Sequence, residues 1–162
     1  MLRFISTGFY SGIIPFMPGT FGSAAACLTW LALHQLVIQF AAGPLLSTAT
    51  HLPLLLDGLI LALLCLSHRW FVLPYLVANG KSDPGEVVLD EWAGCWLALM
   101  FGPADWRWVL LQFILFRIFD ITKPFGVKTL EKLPAPWGVL ADDLLAGLYA
   151  LILGAAIWSY IN

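Results

Sequence analysis

The sequence predicts an all-α membrane protein, a polytopic bundle of helices, and three observations support this fold class. Hydrophobic residues make up 60% of the 162-residue chain and charged residues only 11%, against about 25% charged residues in soluble domains. No charged residue occurs between Phe4 and Leu56, or between Leu144 and Asn162. No stretch shows the polar–apolar alternation of half-buried strands. The chain therefore suits hydrocarbon better than water, and its length predicts a single domain over 1–162.

Five apolar segments follow one another along the chain, at 22–42, 52–77, 87–101, 106–121 and 140–160. The first, second and fifth reach about the 20 residues that cross a bilayer core of ~30 Å. The third and fourth are shorter, and a Gly-Pro turn joins them. We expect these two to form a short inner helical hairpin, either tilted through a thinned bilayer or packed inside the other helices.

The positive charges predict how the chain is oriented, since Lys and Arg accumulate on the cytoplasmic side of a membrane. Five crossings with the N-terminus inside place Arg3, Lys81 and the lysines of 123–132 on that side, and only Arg107 opposes this orientation. The starts of the first, third and fifth segments and the end of the fourth then meet at one membrane surface. We expect a functional site there. The net charge of −2 and the lack of a basic surface interleaved with aromatics argue against nucleic acid as a partner.

Five carboxylates lie at the ends of the apolar segments that meet at this surface. A charge within a membrane costs about 2.5–3.5 kcal/mol, so it usually has a partner or a task. Carboxylate oxygens are the ligands that Mg²⁺ prefers, which makes these acids candidates for one or two Mg²⁺ ions. For the two adjacent pairs the alternative is complementation of a helix dipole in a first turn. The acids are Asp90, Glu91, Asp120, Asp142 and Asp143.

Two further groups of residues have the chemistry to bind phosphate. Arg117, Asp120 and Lys123 are spaced by three and share one helix face, where Arg supplies a fork of donors and Lys a point charge. The alternative is an ion network within the helix, with the cations reaching the interface. Gly19, Thr20 and Ser23 precede or open the first segment, and they suit an anion site at a helix start. There the alternative is a loop with its N-cap at Thr20 or Ser23.

The sequence lacks the residues that other phosphatase mechanisms require. The three cysteines lie in apolar runs without a Cys-x5-Arg loop, and no Asp-x-Asp-x-Thr nucleophile occurs. We interpret His34, His51 and His68 as packing or interfacial residues, because they lie in or beside the first two segments, far in sequence from the acidic pairs. Catalysis through a phosphohistidine is therefore not expected.

Four motifs, at 15–23, 83–91, 116–124 and 142–147, together resemble the phosphatidylglycerophosphatase A family of bacteria. The resemblance covers nearly the whole chain, in order, with no departure at the polar positions. It implies Mg²⁺-dependent hydrolysis of phosphatidylglycerophosphate to phosphatidylglycerol and phosphate in the bacterial inner membrane, with the site facing the cytoplasm. It also implies a bundle in which helices surround a central one.

The resemblance and the residue chemistry together give each candidate a role. Mg²⁺ is expected on Asp90, Glu91, Asp142 and Asp143. Catalysis is expected from Asp90, Asp143 and Asp120, the last completing the metal shell or acting as the base toward water. The phosphate is expected on Arg117 and Lys123, with Gly19, Thr20 and Ser23 in support and Glu86 at the rim. Direct attack by water and an aspartyl-phosphate intermediate both remain open, as does the oligomeric state.

Two other functions are compatible with the same residues. Broken segments and intramembrane carboxylates also occur in small cation-coupled transporters, and a non-catalytic membrane subunit is a third possibility. Release of phosphate from the lipid in the presence of Mg²⁺ distinguishes the enzyme from both.

Overall fold

The computed structural model describes residues 1–41, 51–80, 84–130 and 132–161, and these residues form helices and no strand. The prediction of an all-α fold is confirmed. A 3₁₀ turn occupies Ser11–Ile13, and a π-helical turn, His68–Val72, joins α3 to α4. The α-helices are α1 (Leu2–Ser6), α2 (Pro18–Ala41), α3 (Leu52–Ser67), α4 (Leu73–Asn79), α5 (Leu89–Leu99), α6 (Trp106–Thr122), α7 (Val127–Leu130) and α8 (Trp137–Ile161).

Three helical stretches of the described chain are long and apolar enough to cross a membrane: Pro18–Phe40, Leu52–Asn79 and Trp137–Ile161. They correspond to the first, second and fifth predicted segments. The first and the fifth begin earlier than predicted, at Pro18 and Trp137. At Pro18 the physical reason is that proline fits the first turn of a helix, where its missing N–H leaves no hydrogen bond unmade.

The central helix of the bundle is α5. It packs against α2, α3, α6 and α8, and all its residues are buried except the half-buried Glu91 and Leu97. This confirms the expected central helix. The other arm of the hairpin, α6, is only partly inside, because Leu110, Ile114 and Ile118 are exposed on its outer face.

Two glycines set the contact between α5 and α8. A Cβ atom on Gly147 would collide with the backbone of Gly94, and one on Gly94 would collide with the backbone of Asp143. Small residues allow this close approach between membrane helices. The two helices run in the same direction here, and Asp90 and Asp143 each lie four residues, about one turn, before their glycine. The glycine contact therefore brings these two carboxylates side by side.

A second buried acid, Asp57, joins three helices. Its Oδ1 accepts hydrogen bonds of 3.0 Å from the indole N–H groups of Trp30 and Trp96, and its Oδ2 lies 3.2 Å from Nε2 of His34. These partners come from α2 and α5, so Asp57 on α3 ties the bundle together. Three partners offset the cost of removing this carboxylate from water.

The α5–α6 turn lies at the end of the bundle opposite Asp143. Hydrogen bonds from Arg107 lower the pKa of Asp105 below its ordinary value, and the Arg107 guanidinium lies 5.7 Å from the ring centre of Trp158. Trp158 follows Asp143 by fifteen residues on α8, a rise of about 22 Å. Along α8 the two ends of the hairpin are therefore closer together than the ~30 Å of a bilayer core. Lys81, used in the orientation argument, lies outside the described residues.

The glycine contact gives a first prediction. Gly147→Ala should lower the free energy of unfolding by about 1–3 kcal/mol, because the new methyl group overpacks against α5. The measurement is unfolding in detergent. Gly58→Ala is the matched control, since a Cβ atom at Gly58 meets open space and should be neutral or stabilise the helix by up to ~1 kcal/mol. Equal effects of the two changes would contradict the close packing.

The Asp57 network gives a second prediction. Asp57→Ala should lower the free energy of unfolding by about 3 kcal/mol, because it leaves two buried indole N–H groups without an acceptor. Asp57→Asn should cost much less: its carbonyl still accepts from both indoles, and its amide donates to His34, whose Nδ1 faces the Trp30 carbonyl. Comparison of the two variants by unfolding in detergent tests the network, and an equal loss in both would argue against it.

Candidate active site

Four helices bring the predicted site residues to one end of the bundle. Helices α2, α5 and α8 begin there and α6 ends there. The convergence expected from the charge pattern is therefore present. The predicted residues found at this end are Gly19, Thr20, Ser23, Asp90, Glu91, Arg117, Asp120, Lys123, Asp142 and Asp143.

The centre of the site is a cluster of three carboxylates, which we call the acidic cluster: Asp90, Glu91 and Asp143. Each offers one oxygen, and the three oxygens lie within 4.8 Å of one another. Asp90 and Asp143 are buried. Glu91 Oε2 is also buried, and it has no hydrogen-bond partner within the described part of the chain. Carboxylates this close repel one another unless a cation or a proton lies between them, so the arrangement fits a hard cation such as Mg²⁺.

Asp142 lies outside the acidic cluster although it adjoins Asp143. Its Oδ2 accepts a hydrogen bond of 2.5 Å from Nζ of Lys123, and its Oδ1 accepts from the backbone N–H of Asp143 at 3.0 Å. Lys123 lies just beyond the end of α6 in the left-handed region, with φ of 45°. Beyond this turn of the backbone the Lys123 side chain contacts α8, whereas Arg117 and Asp120 contact each other on α6. The proposed contact of Lys123 with phosphate and the proposed metal contact of Asp142 stay predictions.

Arg117 lies beside the acidic cluster and is held by two neighbours. Its Nη1 donates to Asp120 Oδ2 at 2.7 Å and to Ser23 Oγ at 3.3 Å, so the predicted Arg–Asp pair on α6 is present. Its Nε is buried and has no acceptor among the residues described. An unsatisfied buried donor is costly. A guanidinium fixed in place with a spare N–H is suited to bind an oxyanion.

Glycine at position 19 leaves room for this arrangement of side chains. A Cβ atom there would collide with the carboxylate of Glu91 and press on Nη1 of Arg117. Ser23, one turn along α2, donates to the carbonyl of Gly19 at 2.7 Å while it accepts from Arg117. Thr20 lies with Arg117 along a cleft between α2 and α6.

Two capping alternatives are wrong. Helix α2 begins at Pro18, so Thr20 and Ser23 lie inside the helix and neither is an N-cap. Helix α8 begins at Trp137, which places Asp142 in the second turn, beyond the reach of a cap. The first-turn position of Asp90 and Glu91 in α5 is confirmed, and there the helix dipole favours the same negative charges that form the cluster.

The rim of the site is formed by the N-terminal residues. Arg3 pairs with Glu86 at 3.2 Å, and the hydroxyl of Tyr75 donates to the same carboxylate. The Val88 N–H donates to the carbonyl of Ser6 at 3.2 Å. Glu86 thus links α1 to α4, and its role at the site stays a prediction. Asp83, in the same motif, lies outside the described residues.

His68 lies beside the site, which the sequence argument did not anticipate. It is fully buried, and its Nδ1 must carry the proton, because the Leu64 carbonyl 2.9 Å away can only accept. His68 and Asp90 line a cavity of about 10 Å³, close to the size that holds one water. The π-helical turn that begins at His68 rotates it relative to a regular helix. No sequence pattern revealed this turn.

Comparisons with known proteins identify the family of the chain. The family model described as phosphatidylglycerophosphatase A matches residues 4–158. A "putative phosphatidylinositol-3-phosphatase" of Bacteroides thetaiotaomicron is 41% identical over 152 residues, covering 92% of this chain and 88% of the relative. No solved structure matches the chain.

Two relatives carry the name phosphatidylglycerophosphatase A. The protein of Haemophilus influenzae is 34% identical over 159 residues, covering 96% of this chain and 88% of its own. The protein of Escherichia coli is 33% identical over 149 residues, covering 89% of this chain and 76% of its own. The transporter alternative finds no support among these matches. The chain belongs to the phosphatidylglycerophosphatase A family and is a phosphatase.

Proposed function

We propose that this protein hydrolyses phosphatidylglycerophosphate to phosphatidylglycerol and inorganic phosphate, with Mg²⁺ bound by the acidic cluster. One observation supports this most directly: a buried cluster that suits a cation lies beside Arg117, whose Nε has no acceptor in the described chain. A cation site next to a free guanidinium donor is the arrangement that a phosphate monoester requires. The family and the names of two relatives support this lipid as the substrate.

The acidic cluster supplies the metal ligands in this proposal. Asp90, Glu91 and Asp143 offer three oxygens within 4.8 Å and would hold Mg²⁺, which prefers carboxylate oxygens and water. The unpartnered Oε2 of Glu91 supports the fit, because a buried carboxylate oxygen needs a positive partner. When bound, Mg²⁺ would neutralise phosphate charge and orient a water.

The remaining residues bind and orient the phosphate. Asp120 and Ser23 hold the Arg117 guanidinium in place. The side chain therefore loses little conformational entropy when its free N–H binds phosphate. In hydrolysis by water, the water oxygen bonds to phosphorus, the bond from phosphorus to the glycerol oxygen breaks, and that oxygen gains a proton. Asp120 holds Arg117 throughout. Its further role as the base toward water stays a prediction.

We further propose that the protein lies in the bacterial inner membrane with its site on the cytoplasmic side. Arg3 and Lys123 lie at the site end, which agrees with the positive-inside bias. Arg107 at the other end is paired with Asp105 at 2.8 Å. In this orientation a phospholipid headgroup would lie at the end of the bundle where the acids of α5 and α8 are found.

A second candidate substrate is phosphatidylinositol 3-phosphate. The relative from Bacteroides thetaiotaomicron has the higher identity, 41%, and its name refers to that lipid. Both lipids present a phosphate monoester on a headgroup at the membrane surface. Assay of the two lipids side by side distinguishes them, and we expect phosphatidylglycerophosphate to give the higher kcat/KM.

The metal assignment gives a third prediction. Asp90→Asn should lower the rate of phosphate release at least 100-fold and weaken Mg²⁺ activation, because it removes one anionic ligand. Release by the unmodified protein should stop with a chelator and return with Mg²⁺. Asp105→Asn makes the same change at the opposite end of the bundle and should leave activity unchanged. Full activity in Asp90→Asn would refute the site assignment.

The role of Arg117 gives a fourth prediction. Arg117→Lys keeps the charge but loses Nε and the fork, so kcat/KM should fall about 10–100-fold, equivalent to the loss of one charged hydrogen bond of about 1.5–3 kcal/mol. Arg107→Lys, on the same helix but remote from the site, is the matched control and should keep its activity. Phosphate release at a series of lipid concentrations measures both variants. Equal kcat/KM in the two would argue against a phosphate contact by Arg117.

A further inference from the structure

A long apolar groove leads away from Arg117 between α2 and α6. Its first part, of about 390 Å³, runs past Thr20, Ile114 and Arg117. Its second part, of about 250 Å³, runs past Ala24, Leu28 and Leu110. Phe113 lines both parts, so they follow one another along the same two helices.

The polar groups of the groove occur only at its site end. Arg117, Thr20 and Thr122 line the first part, whereas the lining of the second part is apolar from Ala24 to Trp106. A phospholipid has the same order of chemistry, with a charged phosphate followed by hydrocarbon. The charge of Arg117 complements the phosphate, the two threonines lie on the outer side of Arg117 at the start of α2 and the end of α6, and apolar side chains line the groove from Ile114 inward.

The groove is about as long as one acyl chain, which spans one leaflet of a bilayer. From Arg117 back to Trp106 there are eleven residues of α6, a rise of about 16 Å. Half of a hydrocarbon core of ~30 Å is about 15 Å. The groove is also open on its outer side, where Leu28 and Leu110 are exposed, so a lipid can enter laterally from the surrounding bilayer.

We propose that this groove binds one acyl chain of the lipid substrate and so holds the headgroup phosphate against Arg117 and the acidic cluster. The inference rests on the proposed lipid phosphatase function and specifies how the substrate is bound. It requires the enzyme to prefer long acyl chains over short ones, because only a long chain packs along the whole groove and packing contacts favour association within lipid.

Filling the groove tests the proposal. Ala24 is half-buried on the groove wall, and Ala24→Phe should raise KM for dipalmitoyl phosphatidylglycerophosphate at least tenfold in mixed micelles. The same variant should leave kcat/KM for the dihexanoyl lipid within about twofold, because a short chain barely enters the second part of the groove. Leu110→Trp, from the opposite wall, should have the same effect and covers the case in which Ala24→Phe does not fold. Ala62→Phe, on an exposed part of α3 away from the groove, is the matched control and should behave like the unmodified protein.

A binding measurement separates this inference from the proposed function. Phosphatidylglycerophosphate with a diazirine near the end of its acyl chain should crosslink to 24–31 and 106–114, and the crosslinks should disappear in Ala24→Phe. Crosslinking at the groove without phosphate release would support the groove while refuting the function. Hydrolysis with crosslinks elsewhere, or an unchanged KM in both filled variants, would overturn the groove and leave the function standing.

Discussion

The contact of α5 with α8 at Gly94 and Gly147 is the constraint on which the site depends. Because neither residue has a side chain, the two helices approach until a Cβ atom would collide with the facing backbone. One turn earlier, the same approach forces Asp90 and Asp143 together in a buried position. Repulsion between these carboxylates would separate two free helices. The packing of α2, α3 and α6 around α5 opposes it.

The two buried acidic centres of the bundle differ in how they are satisfied, and the difference indicates their roles. Asp57 has two indole donors and His34 around it, so the protein itself completes its surroundings. In the acidic cluster Glu91 keeps a buried oxygen without a partner in the described chain, and Arg117 beside it keeps a buried donor. Buried polar groups are nearly always hydrogen-bonded in native proteins. The first centre therefore stabilises the fold, and the second has the unsatisfied groups that our proposal assigns to a cation and a phosphate.

Much of this arrangement could be predicted from the sequence. The apolar segments follow from composition, and the convergence at one end follows from the alternation of crossings and the placement of Lys and Arg. The pairing of Arg117 with Asp120 follows from their spacing of three. These features depend on regular helices, whose geometry converts residue spacing directly into position.

The features that were missed arise where the helices are irregular or where partners are distant in sequence. Lys123, whose backbone is left-handed just beyond the end of α6, contacts Asp142 on α8, and His68, where a π-helical turn begins, lines a cavity with Asp90. The role of Asp57 depends on two tryptophans from other helices. A single acid within the apolar segment 52–77 was the available signal for Asp57, and spacing alone could not identify its partners. The single-domain assignment stays a prediction.

The most direct test is the position of a bound metal ion. Mn²⁺, which prefers the same oxygen ligands as Mg²⁺, can be located by its anomalous scattering in crystals of the active protein. The account predicts an anomalous peak in contact with Asp90, Glu91 and Asp143, next to Arg117. Crystals of protein that hydrolyses the lipid with Mn²⁺, but whose only peaks lie away from these three carboxylates, would contradict it.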